Sequence, residues 1–180
     1  MQSRALLMKE HRLIERMLVL LGEAAAGLEA GAELSPRLVA DAVDFIRTYA
    51  DRTHHGKEED ILFAELAVRP LSEADRRAME ALAADHAWAR GVTAEVALAD
   101  ERRRAGDAGA VAEVVAGIRA LCDFYPRHIA AEDASFFPAA RSYFSEEEDR
   151  DLLARYRTFD QAMIHEKYAA VVAAVEKDVR

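Results

Sequence analysis

The sequence predicts an all-α protein, an up-down-up-down four-helix bundle with an additional C-terminal helix. Helix breakers are few, with 8 glycines and 4 prolines among 180 residues, and Ala, Leu, Glu and Arg are abundant. Apolar residues recur at helical spacing, and only short polar stretches separate the helical segments. Short connections make consecutive helices antiparallel neighbours. We therefore expect residues 1–144 to form the bundle and residues 145–180 to form a helix packed on it.

The first two helices are predicted from an apolar stripe and from helix-end signals. The stripe follows steps of three and four residues and consists of Leu7, His11, Ile14, Leu18 and Leu21. It places the first helix at about Ser3–Leu28. The second helix begins with Ser35 as its N-cap and Pro36 at its first helical position. It runs to about Val68, and Pro70 prevents it from continuing.

The remaining three helices follow from similar signals. The third is predicted at about Ser72–Arg104, and Ala-Gly-Asp ends it. The fourth is predicted at about Ala108–Tyr143, with a kink or a restart near Pro126, because proline removes a helical hydrogen bond. The fifth is predicted at Ser145–Val179, where Glu148 completes a capping box with Ser145.

Charge and cysteine content exclude several classes of protein. The chain has 24 basic and 33 acidic residues and a net charge of −9, which disfavours binding to nucleic acid or to anionic membranes. Its single cysteine, Cys122, excludes an internal disulfide framework and a thiolate-bound metal cluster. The N-terminus does not resemble a signal peptide, and the longest apolar run, Met17–Leu21, is too short to span a membrane. These features predict a cytoplasmic protein.

Histidines and glutamates form a pattern typical of metal ligands. Residues i and i+4 project from nearly the same side of a helix, so His55 with Glu59 and His128 with Glu132 can each act as a pair. His11 and His86 lie on the apolar faces of the first and third helices. The candidate metal ligands are therefore His11, His55, Glu59, His86, His128 and Glu132.

The combination favours a metal more strongly than any single residue does. A lone histidine on an apolar face is more often a hydrogen-bonded core residue, and a lone His-x-x-x-Glu is common on exposed helices. Two buried glutamates without a cation, however, would each cost several kcal/mol. Four imidazoles and two carboxylates are too many for one tetrahedral zinc and suit two ions that share the carboxylates. This ligand set favours iron, with manganese or zinc possible.

The chain resembles the hemerythrin-like, or HHE cation-binding, family over roughly residues 5–142. The resemblance rests on Glu10-His11, His54-His55-Gly-Lys-Glu-Glu59-Asp-Ile-Leu-Phe, Asp85-His86 and His128-Ile-Ala-Ala-Glu132-Asp-Ala-Ser-Phe-Phe-Pro138. It implies a four-helix bundle that holds two non-haem iron ions joined by an oxo or hydroxo bridge. Glu59 and Glu132 would then bridge the irons, and the four histidines would be terminal ligands.

The sequence departs from the oxygen-carrying hemerythrins at two positions. Those proteins have His-x-x-x-His on the third helix, where this chain has Arg90 after His86, so one of five histidines is missing. We interpret the gap as an open or water-filled coordination position, which favours sensing or redox chemistry over oxygen storage. Their last carboxylate follows its histidine by five residues, which corresponds to Asp133, but helical phase favours Glu132.

Some alternatives stay open from the sequence. His54 could pair with Glu58 in a register one residue earlier, whereas His165 is expected to have a surface or packing role. The expected function is to bind or sense dioxygen, redox state or a related small ligand such as peroxide or nitric oxide. The alternatives are a di-iron redox enzyme and a helical interaction module with a structural metal. Enzymatic activity and oligomeric state are not predicted.

Overall fold

A computed structural model describes the backbone of residues 2–32 and 37–179, and the side chains of these residues up to 163 together with Lys167. Over this part of the chain every regular element is helical and no strand is present, which confirms the all-α prediction. The expected capping by Ser35 and Pro36 lies outside the described residues. So does the side chain of His165.

Three of the helices are uninterrupted: α1 is Gln2–Glu29, α3 is Glu73–Arg104 and α5 is Glu146–Val179. Helix α1 ends where Gly31 adopts a φ of 75°, in the left-handed region that glycine tolerates. The amides of Gly31 and Ala32 then donate to the carbonyls of Leu28 and Gly27 at 3.0 and 2.9 Å. These bonds satisfy carbonyls that the end of the helix would otherwise leave unpaired.

The predicted start of α3 and the predicted capping box of α5 are confirmed. Ser72 Oγ accepts a hydrogen bond from the amide of Asp75 at 3.1 Å. At the start of α5, the Glu148 amide donates to Ser145 Oγ at 3.3 Å, and the Ser145 amide donates to Glu148 Oε2 at 2.7 Å. This reciprocal pair is a capping box, and it fixes where the last helix begins.

The other two helices, α2 and α4, change their winding along their length. Helix α2 consists of α-helical Leu38–Phe45, π-helical Ile46–His55 and Glu58–Phe63, and α-helical Ala64–Ala67. Helix α4 consists of α-helical Ala110–Ala131, π-helical Glu132–Phe136, α-helical Phe137–Ala140 and a 3₁₀ turn, Arg141–Tyr143. A π turn holds more residues than an α turn because its hydrogen bonds run from i to i+5. Side chains that follow it therefore face directions that regular α-helical spacing does not predict.

No restart occurs at Pro126, because the α-helical part of α4 runs through it from Ala110 to Ala131. Proline removes one hydrogen bond but need not end a helix that is held from both sides. Tyr125 and Ile129 are buried on either side of Pro126 and provide that packing. The change of winding comes six residues later, at Glu132.

The first four helices surround a core that a polar layer divides in two. Helix α1 contacts α2 and α4, and α3 also contacts α2 and α4. One apolar cluster includes Ile14, Ala50, Ala89 and Ile129, and the other includes Leu7, Ile61, Leu82 and Phe136. On α1, α2 and α3 the inward-facing histidines fall between residues of these two clusters, and on α4 His128 lies at the end of the first cluster, next to Ile129. The histidines therefore occupy a layer across the interior.

Helix α5 packs against α1 and α2. Leu152 and Tyr156 are buried in the second cluster. Asp149 accepts hydrogen bonds from the amides of Gln2 and Ser3 at 2.7 and 3.2 Å, so it also caps the start of α1. Among the described residues, none of the helices combines the length and the apolar character needed to cross a bilayer.

Candidate metal centre

Seven side chains of types that can hold a metal ion meet in the polar layer, and none is more than 3% exposed. They fall into two groups within which the potential ligand atoms lie no more than 4.8 Å apart. The first group is His11, His54, Glu58 and Glu132, and the second is His55, His86 and His128. All four bundle helices contribute, so the layer forms only when the bundle is assembled.

The two carboxylates of the first group lie between its histidines and the histidines of the second group. Glu58 places Oε1 3.5 Å from His54 Nε2 and Oε2 3.4 Å from His86 Nε2. Glu132 places Oε2 3.2 Å from His11 Nε2 and Oε1 3.2 Å from His128 Nε2. Each carboxylate thus offers one oxygen to each group.

The residues present fit a bound cation because their buried polar atoms lack other partners. Among the described side chains, both oxygens of Glu58, both oxygens of Glu132 and Nε2 of His86 have no hydrogen-bond partner. Nε2 of His128 also has no hydrogen-bond partner among these side chains. Leaving so many buried polar atoms unpaired is costly, and folded proteins usually avoid it. Cations placed between these atoms would satisfy them together.

The two carboxylates have opposite pKa shifts. Burial raises the pKa of Glu58 well above its usual value, and the charge of Glu132 raises it further. Burial also raises the pKa of Glu132, but the imidazoles of His11 and His128, each 3.2 Å from one of its oxygens, outweigh that effect, so this pKa lies well below its usual value. A cation between the two would favour the ionised form of both.

Burial keeps the two imidazoles of α2 in their neutral form. Burial lowers the pKa values of His54 and His55 well below the usual value. Both rings are therefore neutral at pH 7, which is the form of histidine that binds a metal.

Each histidine of the layer also faces a carboxylate with its other nitrogen. The Nδ1–oxygen distances are 2.8 Å for His11–Asp133, 2.9 Å for His54–Glu10, 2.7 Å for His86–Glu59, 3.3 Å for His128–Asp85 and 3.5 Å for His55–Asp51. At 3.5 Å, the His55–Asp51 pair is a contact and not a hydrogen bond. Such carboxylates orient the ring and make the opposite nitrogen a better metal ligand.

Five of the six predicted ligands meet in this layer, whereas Glu59 does not. Its side chain is 28% exposed, and its Oε1 lies 2.7 Å from both His86 Nδ1 and Arg90 Nη2. The predicted inward orientation of Glu59 is therefore wrong. That prediction assumed about 100° per residue, but the π turns Ile46–His55 and Glu58–Phe63 change the phase of α2.

His54 and Glu58 are the residues that the preferred register missed. The signal was present in the sequence, because His54-x-x-x-Glu58 repeats the spacing of His128-x-x-x-Glu132. The structure brings His54 and His55 inward together, so the described layer contains five histidines. On α3 Arg90 follows His86 at the predicted position, and α2 brings a fifth histidine into the layer that the preferred register did not include.

Comparison with known proteins agrees with this geometry. The sequence model of the Hemerythrin HHE cation binding domain matches residues 3–140, which include all seven residues of the layer. No curated protein and no solved structure matches the chain.

Proposed function

We propose that this chain, which belongs to the hemerythrin HHE cation-binding family, binds two iron ions in the histidine layer. The iron would serve to bind or sense dioxygen, redox state or a related small ligand such as peroxide or nitric oxide. One observation supports this most strongly: Glu58 and Glu132 each offer one oxygen to each histidine group and have no other partner. Shared carboxylates of this kind are typical of sites with two ions.

The proposed ligands follow the two groups. His11 and His54 would hold one ion, His55, His86 and His128 would hold the other, and Glu58 and Glu132 would bridge them. Imidazole and carboxylate ligands in the core of a bundle suit iron, with manganese and zinc as competitors. The proposal includes an up-down-up-down bundle over residues 1–144 and a separate C-terminal helix over residues 145–180.

A cavity beside the layer supports access by a small ligand. Its volume is about 310 Å³, and its lining includes His55, Arg90, Thr93 and Tyr125. The Tyr125 hydroxyl is buried without a partner among the described residues, and burial raises its pKa, so it keeps its proton. A molecule in this cavity would meet that hydroxyl as a hydrogen-bond donor. Bound iron would supply the redox change and the coordination position that these ligands need.

The direct test is metal analysis combined with an optical spectrum after expression with ample iron. We expect about two irons per chain and visible charge-transfer absorption in the oxidised protein. Glu58→Gln should lower the iron content, whereas Glu59→Gln should keep it because glutamine can still accept from His86. A colourless protein without metal would contradict the proposal. A protein that contains two zinc or two manganese ions would support the two-ion site but contradict the assignment of iron.

A redox enzyme is the second candidate, because the cavity reaches His55 and could admit a reacting molecule. Steady turnover of peroxide or nitric oxide by the iron-loaded protein, lost in Glu58→Gln, would favour it over sensing. If the chain is instead an interaction module with a structural metal, Glu132→Ala should change the stability of the protein but not its redox chemistry.

A further inference from the structure

The C-terminal helix contacts the segment of α2 that carries the proposed ligands. Tyr156, Phe159 and Asp160 of α5 lie on one helical face, at spacings of three and four residues. Phe159 and Asp160 reach Gly56 and Lys57 of α2, directly after His54 and His55. The domain match ends at residue 140, so these contacts come from outside the matched region.

A chain of charges centred on the buried Lys57 connects α5 to His54. Lys57 is 0% exposed, and its Nζ donates to Asp160 Oδ1 at 2.5 Å and to Glu10 Oε1. The second oxygen of Glu10 lies 2.9 Å from His54 Nδ1. Because Lys57 has no contact with water, its charge depends on these two carboxylates. The order of contacts is therefore Asp160, Lys57, Glu10 and His54, across three helices.

Two aromatic residues of α5 complete the contact. A Cβ atom added to Gly56 would lie 2.8 Å from Phe159 Cζ, so the ring occupies the space that a side chain would need. Tyr156 is fully buried in the second apolar cluster, which also contains Ile61 and Leu62 of α2. Helix α5 thus packs against α2 on both sides of Lys57, at Gly56 before it and in the apolar cluster of Ile61 and Leu62 after it.

We propose that α5 positions the metal-binding segment of α2, with Asp160 acting through Lys57 and Glu10 to orient His54. This proposal rests on the metal centre proposed above. Metal binding and docking of α5 are then coupled, and the coupling is reciprocal. Displacing α5 releases iron from the group that contains His54, and removing iron loosens α5.

The test compares two ion pairs that join α5 to α2. Asp160→Asn removes the charge that α5 supplies to the buried Lys57. The matched control is Glu65→Gln, because Glu65 pairs with Arg155 of α5 at 2.5 Å on the surface and does not touch the histidine layer. The measurements are the rate of iron loss to a chelator and the optical spectrum, with circular dichroism to verify that both variants are folded.

We expect Asp160→Asn to lose iron about 10-fold faster than the wild type, as when a carboxylate behind a ligating histidine is weakened. Glu65→Gln should stay within about twofold, since exposed ion pairs contribute little. Asp160→Glu, which keeps the charge, should restore slow release. Equal rates for Asp160→Asn and Glu65→Gln in a wild type that does bind iron would overturn this inference alone. Failure of the wild type to bind any metal would overturn the proposed function instead.

Hydrogen exchange provides a readout that is independent of the iron spectrum. In the wild type, removing iron should speed exchange of the backbone amides of residues 146–163 in α5. In Asp160→Asn this difference should be lost, because the two events are no longer coupled. Exchange of α5 that does not respond to iron in the wild type would contradict the coupling.

Discussion

The two His-x-x-x-Glu segments of the bundle have the same spacing but different surroundings. His128 lies in the α-helical part of α4 and Glu132 begins its π turn, so the pair stays close to regular phase. His54 and Glu58 lie in the two π turns of α2, where His55 also faces inward. The π turns therefore let the α2 segment supply two histidines, His54 to the first group and His55 to the second. The α4 segment supplies only His128.

The two segments are also held differently. Next to Glu132, Asp133 pairs with Arg12, whose side chain is 55% exposed, at 2.5 Å. Next to Glu58, Lys57 is fully buried between Glu10 and Asp160. The α4 segment is thus supported at the surface by α1, and the α2 segment is supported in the interior by α1 and α5. Four predictions test this difference.

The largest expected effect is on metal content. His54→Ala leaves His11 as the only histidine of its group, so iron should fall from about two to about one per chain. His128→Ala leaves His55 and His86 together, so the second ion should remain but bind more weakly. Metal analysis after extensive dialysis distinguishes the variants. Equal iron content in both would contradict the division into two groups.

The next effect is on stability. Lys57→Met leaves Glu10 and Asp160 without their buried cation and should lower the free energy of unfolding by about 3–5 kcal/mol. Arg12→Met, its counterpart beside the α4 segment, should cost no more than about 1 kcal/mol. Urea denaturation of the metal-free proteins measures both. Similar losses of unfolding free energy in the two variants would contradict the idea that the buried Lys57 supports its segment more strongly than the exposed Arg12 supports the other.

A smaller effect is expected at Gly56. Gly56→Ala places a methyl group against Phe159 and should cost about 1–3 kcal/mol. The control is Gly91→Ala in α3, where nothing lies within 4 Å of the added Cβ. Alanine is the better helix former, so this change should stabilise the protein by roughly 0.5–1 kcal/mol. Thermal unfolding of the two variants should therefore shift in opposite directions.

The smallest effect concerns the attachment of α5 to α1 and depends on pH. Burial raises the pKa of Asp149, but hydrogen bonds from Ser3 and Gln2 outweigh it and give a net lowering. The contribution of Asp149 to stability is therefore fully present above its unfolded pKa of about 3.9 and is lost as pH falls through the lower folded value. Asp149→Asn should destabilise the protein at pH 7, and the difference from wild type should shrink below about pH 4. A difference that stays constant would contradict a role for the charge.

Local signals in the sequence were sufficient for much of the fold. The caps formed by Ser72 and by Ser145 with Glu148 depend on residues three apart, so the starts of α3 and α5 were correctly predicted. The inward orientation of His128 and Glu132 was also correct, because α4 is α-helical up to Ala131. The histidine pattern and the family could be recognised for the same reason: they depend on short, regular spacing.

The sequence by itself thus determined the helical class, most of the helix ends and five of the seven residues in the layer. The tertiary structure decided that Glu58 and not Glu59 faces inward, and that His54 joins His55. It also decided that Lys57 is buried. This burial requires Glu10 of α1 and Asp160 of α5, which lies 103 residues after Lys57 in the chain. The physical reason is that π turns and buried charges are stabilised by partners from other helices. The spacing of residues within α2 therefore does not predict which residues of the other helices they contact.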